Sequence, residues 1–252
     1  MQKKYLEICT GSLDSCFTAQ KGGANRVELC ANLIEGGTTP DYATIVYAKE
    51  KLSIEVMVMI RPRGGDFLYT DTEYALMKEN ILLCRKIGVK GVVFGLLLPD
   101  GSIDKRRTRE LVDLAQPLEV CFHRAVDMTD DYNKAVKDII DCKCKRILTS
   151  GQKNTAIEGL DNMAKIQKEY GKQIEIMAAS GLNSQNVKEI WQRTGINNFH
   201  LSAKQVKKSN MIFRQPNVSM GNEYLDEYSL TATNIKEVKR VRNILDNLPE
   251  SK

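Results

Sequence analysis

The chain has 252 residues, 42% hydrophobic and 27% charged, with 37 Lys and Arg against 32 Asp and Glu. That composition excludes wholesale disorder and collagen-like repeats, and leaves room for one large α/β barrel or two small domains. The net charge of +5 is spread out: Lys105-Arg106-Arg107 and Lys207-Lys208 lack interleaved aromatics, which argues against a nucleic-acid partner, and no apolar run approaches the roughly 18–20 residues of a membrane span.

The start, Met1-Gln2-Lys3-Lys4-Tyr5-Leu6-Glu7, carries no apolar core or cleavage pattern, so no secretory signal is expected. Strand-like runs then recur at 5–9, 26–30, 54–61, 91–97, 118–124, 145–149, 174–179 and 198–202. Near-continuous apolar stretches such as Val56-Met57-Val58-Met59-Ile60 fit parallel strands covered on their outer face. Helical segments separate them. One starts near Thr72, places Met77, Ile81 and Cys84 on one face and stops at Gly88; another takes Ser184 as N-cap and ends at Gly195. Eight strand–helix units predict a single-domain (β/α)8 barrel over residues 1–252. Residues 1–203 hold the units, 204–230 form a long loop over the C-terminal face, and 231–247 a closing helix. Met211-Ile212-Phe213-Arg214 and Val218-Ser219-Met220-Gly221 are that loop's expected apolar anchors.

The first two strands share a pattern, Leu6-Glu7-Ile8-Cys9 and Val27-Glu28-Leu29-Cys30. Residues two apart on a strand share a face, and neighbouring strands lie about 4.8 Å apart. Glu7 with Glu28, and Cys9 with Cys30, therefore form carboxylate and thiol pairs if both sets face inward. Two thiolates so placed offer a soft ion such as Cu(I) a two-coordinate site; packing is the other reading. Cys84, Cys121 and the Cys142-Lys143-Cys144 pair read as packing residues. An odd count of seven cysteines suits free thiols in the cytosol, and the expected location is cytoplasmic.

Chemistry in such barrels sits where strands end. Both histidines of the chain fall there, in Phe122-His123-Arg124-Ala125-Val126-Asp127 and Phe199-His200-Leu201-Ser202. They are either structural or functional. Arg61 and Arg63 either hold a phosphate or carboxylate, or pair with Glu7 and Glu28. If the site is catalytic, Arg61 anchors the anion, His123 with Glu7 and Glu28 moves protons, Asp127 orients the histidine, and His200 completes the set. Thr149, Ser150, Ser180, Gly181 and Ser202 are candidates to line the anion, although Ser and Gly at a helix entry are also ordinary caps. No dinucleotide fingerprint follows the first strand, so no organic cofactor is indicated.

These segments resemble the CutC family, named for copper homeostasis. The resemblance rests on Leu6-Glu7-Ile8-Cys9, on Gly22-Gly23-Ala24-Asn25-Arg26-Val27-Glu28-Leu29-Cys30 and on Glu35-Gly36-Gly37-Thr38-Thr39-Pro40. It continues through Met59-Ile60-Arg61-Pro62-Arg63-Gly64-Gly65-Asp66-Phe67-Leu68-Tyr69, Phe122-His123-Arg124-Ala125, Leu148-Thr149-Ser150-Gly151 and Phe199-His200-Leu201-Ser202-Ala203. It implies a cytoplasmic (β/α)8 barrel, often homo-oligomeric, that handles copper and binds Cu(I). Where the family's seventh strand ends Met-Pro-Gly-Gly-Gly, this chain reads Met177-Ala178-Ala179-Ser180-Gly181. Losing two glycines leaves less room for a bound anion. The partners expected are therefore a copper ion or a small anionic ligand, and further copies of the chain.

Overall fold

The computed structural model describes residues 4–220 and 226–249. Eight parallel strands close into a barrel in chain order, β1 pairing with β8: β1 (Tyr5–Thr10), β2 (Arg26–Leu29), β3 (Glu55–Met59), β4 (Gly91–Phe94), β5 (Glu119–Phe122), β6 (Arg146–Thr149), β7 (Glu175–Ala178) and β8 (Asn198–Leu201). Around them run α1 (Leu13–Lys21), α2 (Tyr42–Lys51), α3 (Asp71–Ile87), α4 (Lys105–Ala115), α5 (Tyr132–Asp141), α6 (Leu160–Tyr170), α7 (Val187–Thr194) and α8 (Ile235–Asp246). The expected (β/α)8 architecture is what the chain forms. No helix among the described residues is long and apolar enough to cross a membrane.

Strand alternation sorts the apolar residues into two populations. Leu6, Ile8, Val27, Val58, Phe94, Phe122 and Phe199 point outward and pack under the helices. Cys30, Met57, Met59, Val93, Cys121, Leu148, Met177 and Ala179 fill the interior, joined by half-buried Cys9 and Leu33. Below them, at the N-terminal end, the inward positions are charged. Arg26 pairs with Glu7 and Glu55, and Arg146 with Glu119 at 2.7 Å and Glu175 at 3.0 Å. Lys90 joins Glu119 to Glu55, and Lys145 closes on Glu175.

Several boundaries differ from those expected. Helix α3 begins one residue before Thr72, because Thr70 and Glu73 form a reciprocal cap. Ser184 does not cap α7: its N–H and hydroxyl are taken by Glu237 of α8, and Asn186 stands at the cap position. The stretch 204–230 is not a structureless loop. Its ends pair antiparallel as β9 (Lys204–Lys208) and β10 (Ser229–Thr233), each satisfying the other's backbone groups. The hairpin is tied beside α1, where Thr233 N–H donates to Ser15 Oγ at 3.2 Å. Met211, Ile212 and Phe213 are exposed rather than anchoring, as are Val218 and Met220; Gly221 lies outside the described residues, as do Met1, Gln2 and Lys3. The closing helix starts at Ile235, capped by Asn234, because Thr231 to Thr233 belong to β10; it packs against α7 and α1 as the barrel's own eighth helix.

Candidate functional site

Register builds the centre of the site. Glu7 on β1 stands opposite His200 on β8, and Cys9 on β1 opposite Glu28 on β2, with Cys30 two residues beyond. All five side chains point inward. Glu7 Oε1 lies 2.7 Å from His200 Nδ1, and His200 Nε2 lies 3.8 Å from Glu28 Oε2. Glu28 Oε2 is 3.5 Å from Cys30 Sγ, which is 3.9 Å from Cys9 Sγ. The sequence pattern thus brings the carboxylate pair and the thiol pair into one continuous cluster.

The charges of this cluster are uneven. Burial works to raise the Glu7 carboxyl, but the Arg26 guanidinium and the hydrogen bond from His200 hold it well below the usual range. Burial opposes the charged form of His200, and the acidic neighbours Glu28 and Glu7, with a hydrogen bond to Cys9, overcome it and raise its value. Glu28, buried beside Cys9 and Glu7, is pushed well above the carboxylate range. Hydrogen bonding from Cys30 lowers the Cys9 thiol, while the same bond and burial raise Cys30. Arg26, which sets this pattern, was absent from the expected site, although it lies two residues before Glu28 and so shares its face. The interior thioethers of Met57, Met59 and Met177 carried the same period-two signal.

Arg61 does not pair with Glu7 or Glu28. Its Nη1 donates to the carbonyls of Glu35 and Gly37 at 2.7 and 3.0 Å, and its Nη2 to Gly65 at 2.7 Å. It is a strut between the loops after β2 and β3, and Arg63 is likewise spent on Glu73 and Asp66. Only the Nε–H and one Nη2 hydrogen of Arg61 remain, and Nε has no partner among the described residues. The Phe67 ring lies against both the Arg61 guanidinium, at 5.2 Å, and the His123 ring, at 4.8 Å. His123 Nδ1 accepts the Ala125 N–H at 3.2 Å, and its Nε2 is buried without a partner. Gly95 makes room for it, since a Cβ there would stand 2.6 Å from Nδ1. Burial, then the Arg61 charge, depresses His123 to about 3, so it is a neutral hydrogen-bond donor near pH 7 rather than a proton shuttle.

Asp127 does not orient His123. Its carboxylate accepts from Thr149 Oγ1, Ser150 N and Oγ, Gln152 N and Arg124 Nε. The hydroxyls of Thr149 and Ser150 do face an anion, but that anion is the protein's own. Ser180 donates to the Asn154 carbonyl at 2.6 Å; Gly181 follows it in the left-handed region, and Ser202 is exposed at the end of β8. The five anion candidates therefore do not converge on one external ligand. Two histidines that looked equivalent in sequence have separate surroundings: His200 belongs to the thiol–carboxylate cluster and His123 to the Arg61–Phe67 mouth.

The fold and site define a (β/α)8 barrel whose interior joins buried acid–histidine pairs to a sulfur-lined core. The CutC family model matches residues 4–205, and the chain belongs to the CutC family. A CutC family protein of Chromobacterium violaceum is 43% identical over 243 residues, 96% of this chain and 98% of its own length. The copper homeostasis protein cutC homolog of Homo sapiens is 40% identical over 244 residues, 96% and 89% of the two chains. Among solved structures, a CutC protein of Streptococcus agalactiae superposes with a TM-score of 0.75 at 34% identity, covering 79% of this chain and 98% of its own.

Proposed function

We propose that this chain serves copper homeostasis by holding Cu(I) as cargo inside the barrel, with Cys9 and Cys30 as thiolate ligands. The observation that carries the reading is the 3.9 Å separation of the two sulfurs. Metal–thiolate bonds are about 2.3 Å, so two sulfurs on one ion lie no more than about 4.6 Å apart. The pair also sits in soft surroundings: Met57, Met59, Met177 and Cys121 belong to the same interior cluster, and thioether and thiol donors favour Cu(I). The copper homeostasis name carried by the human relative supports the same reading. The free thiols suit the cytosol, where we place the protein. The exposed Met211, Ile212, Phe213 and Met220 offer surface for a second copy in a homo-oligomer. Anaerobic titration of the reduced protein against a chromophoric Cu(I) chelator tests the central claim. Stoichiometric uptake is expected in the wild type and none in Cys9→Ser/Cys30→Ser; unchanged uptake in a folded double variant overturns it.

A second reading rests on a different observation, the two buried donors Arg61 Nε and His123 Nε2 without partners. They suit a small phosphorylated or carboxylated metabolite at the mouth, whether bound or transformed there. A thermal-shift screen of such compounds should find a ligand whose effect disappears in His123→Leu. A screen without a hit removes this reading.

A further inference from the structure

Glu28 is the least explained side chain of the cluster. It is 2% exposed, and its Oε1 has no hydrogen-bond partner among the described residues. A buried carboxyl oxygen left unpaired costs free energy, so such an atom asks for a ligand. Its other oxygen already stands 3.5 Å from Cys30 Sγ and 3.8 Å from His200 Nε2. The donor atoms of Cys9, Glu28 and Cys30 all lie within 4.8 Å of one another, and so do those of Glu7, Glu28 and His200. Glu28 is the member common to both triplets.

The second observation is how His200 is held. Its Nδ1 is engaged by Glu7 at 2.7 Å, and Glu7 is fixed in turn by Arg26. A carboxylate on one imidazole nitrogen, with the other nitrogen aimed at a donor cluster, is the arrangement that orients a histidine ligand and raises its basicity. A monovalent soft ion held by two thiolates needs neither a carboxylate oxygen nor an oriented imidazole. A borderline divalent ion uses both, and three anionic donors match a charge of two better than a charge of one.

We infer that Cys9, Cys30 and Glu28 form a Zn2+ site that His200, grouped with Glu28 but not with the thiols, completes by closing on the ion, with Glu7 and Arg26 as the residues that position His200. The site shares its two thiols with the Cu(I) reading but stands on Glu28 and His200, so each can fail without the other. Binding takes both sulfurs as thiolates, Glu28 as carboxylate and His200 through an unprotonated Nε2, and the protons these donors carry go to solvent; no oxidation state changes.

Co2+ is the probe, because its tetrahedral thiolate complexes absorb in the visible. Metal-stripped, fully reduced protein is titrated with Co2+, and Zn2+ is then added to displace it. Thiolate-to-cobalt absorption is expected, bleached by one Zn2+ per chain. Glu28→Gln and His200→Asn should each weaken Zn2+ by at least about tenfold, as should Glu7→Gln through its hold on the imidazole. Cu(I) affinity, measured on the same variants by chelator competition, should stay within about threefold, while Cys9→Ser/Cys30→Ser removes both metals. Circular dichroism confirms that each variant is folded, and Glu28→Gln preserves side-chain size if His200→Asn does not fold. Absent cobalt–thiolate absorption, or unchanged Zn2+ affinity in Glu28→Gln and His200→Asn, overturns the inference. Cu(I) uptake without Zn2+ uptake sinks the zinc site and spares the copper reading; Zn2+ uptake without Cu(I) does the reverse.

Discussion

Glu7 and His200 meet across the seam where the last barrel strand pairs with the first, Oε1 to Nδ1 at 2.7 Å. A contact between residues so far apart in sequence exists only when the barrel is closed. The acid–imidazole pair therefore reports on closure itself, and the cation behind Glu7 matters as much as the histidine in front of it.

Arg26 is that cation, 2% exposed and in direct contact with Glu7. Removing one partner of a buried ion pair leaves an uncompensated charge and costs about 3–5 kcal/mol. Arg26→Met should lose that much in urea denaturation, and Glu7→Gln added to it should recover part of the loss. A double variant no more stable than Arg26→Met would show that the pair is not coupled.

His123 fixes a pH dependence. Its value falls from 6.5 to about 3 in the folded chain, so between those limits the unfolded chain binds a proton that the folded one refuses. Acid therefore favours unfolding: the contribution is absent above pH 6.5 and grows as pH falls toward 3, by about 1.4 kcal/mol per pH unit. His200 carries the opposite sign, since its raised value favours the folded chain when protonated. Comparing wild type with His123→Leu between pH 6.5 and 5 isolates the first effect. The variant should lose less stability on acidification, and parallel curves would refute the assignment.

How much of this was legible beforehand follows from what a strand's period reveals. Alternation placed Glu7 with Cys9 and Glu28 with Cys30 on one inward face, and the repeated strand–helix rhythm gave the barrel. Register is not written in alternation. Nothing local says that Glu7 faces Arg26 rather than Arg61, since both arginines lie in phase with inward positions. Asp127 departs from its expected role because its three-residue step back to Arg124 and its reach to the β6 loop depend on a short 3-10 turn, Arg124–Met128, that only the folded chain displays. The β9 strand carries no local signal for another reason: Lys-Gln-Val-Lys-Lys has little strand preference and gains its conformation from pairing with β10.

Ser180 offers a test of backbone strain just beyond the end of β7. Its φ is +76°, a region that costs a side-chain-bearing residue about 1–2 kcal/mol, and its hydroxyl donates to Asn154 O. Ser180→Ala keeps the strain and loses the bond; Ser180→Gly loses the bond but releases the strain. Thermal unfolding should rank the alanine variant below the glycine variant by about 1 kcal/mol. The reverse order would mean that the left-handed backbone is not strained there.

Proximity of Cys9 and Cys30 does not make them a disulfide. Cys9 is in register with Glu28, so Cys30 is the diagonal neighbour two residues on. A strand spacing of about 4.8 Å and a rise of about 3.3 Å per residue put the two Cα atoms about 8 Å apart. That exceeds the roughly 7 Å beyond which a bridge needs backbone movement. Diamide treatment followed by peptide mapping should leave this pair unlinked, and a 9–30 disulfide formed in folded protein would contradict the register argument.

The floor of interlocked Arg, Lys and Glu side chains makes the sulfur-lined interior a cul-de-sac. On the proposed copper reading, an ion cannot pass through such a barrel from end to end and leaves by the mouth it entered. Under that proposal delivery and collection compete for one doorway, and transfer proceeds by exchange at the C-terminal face, one visitor at a time.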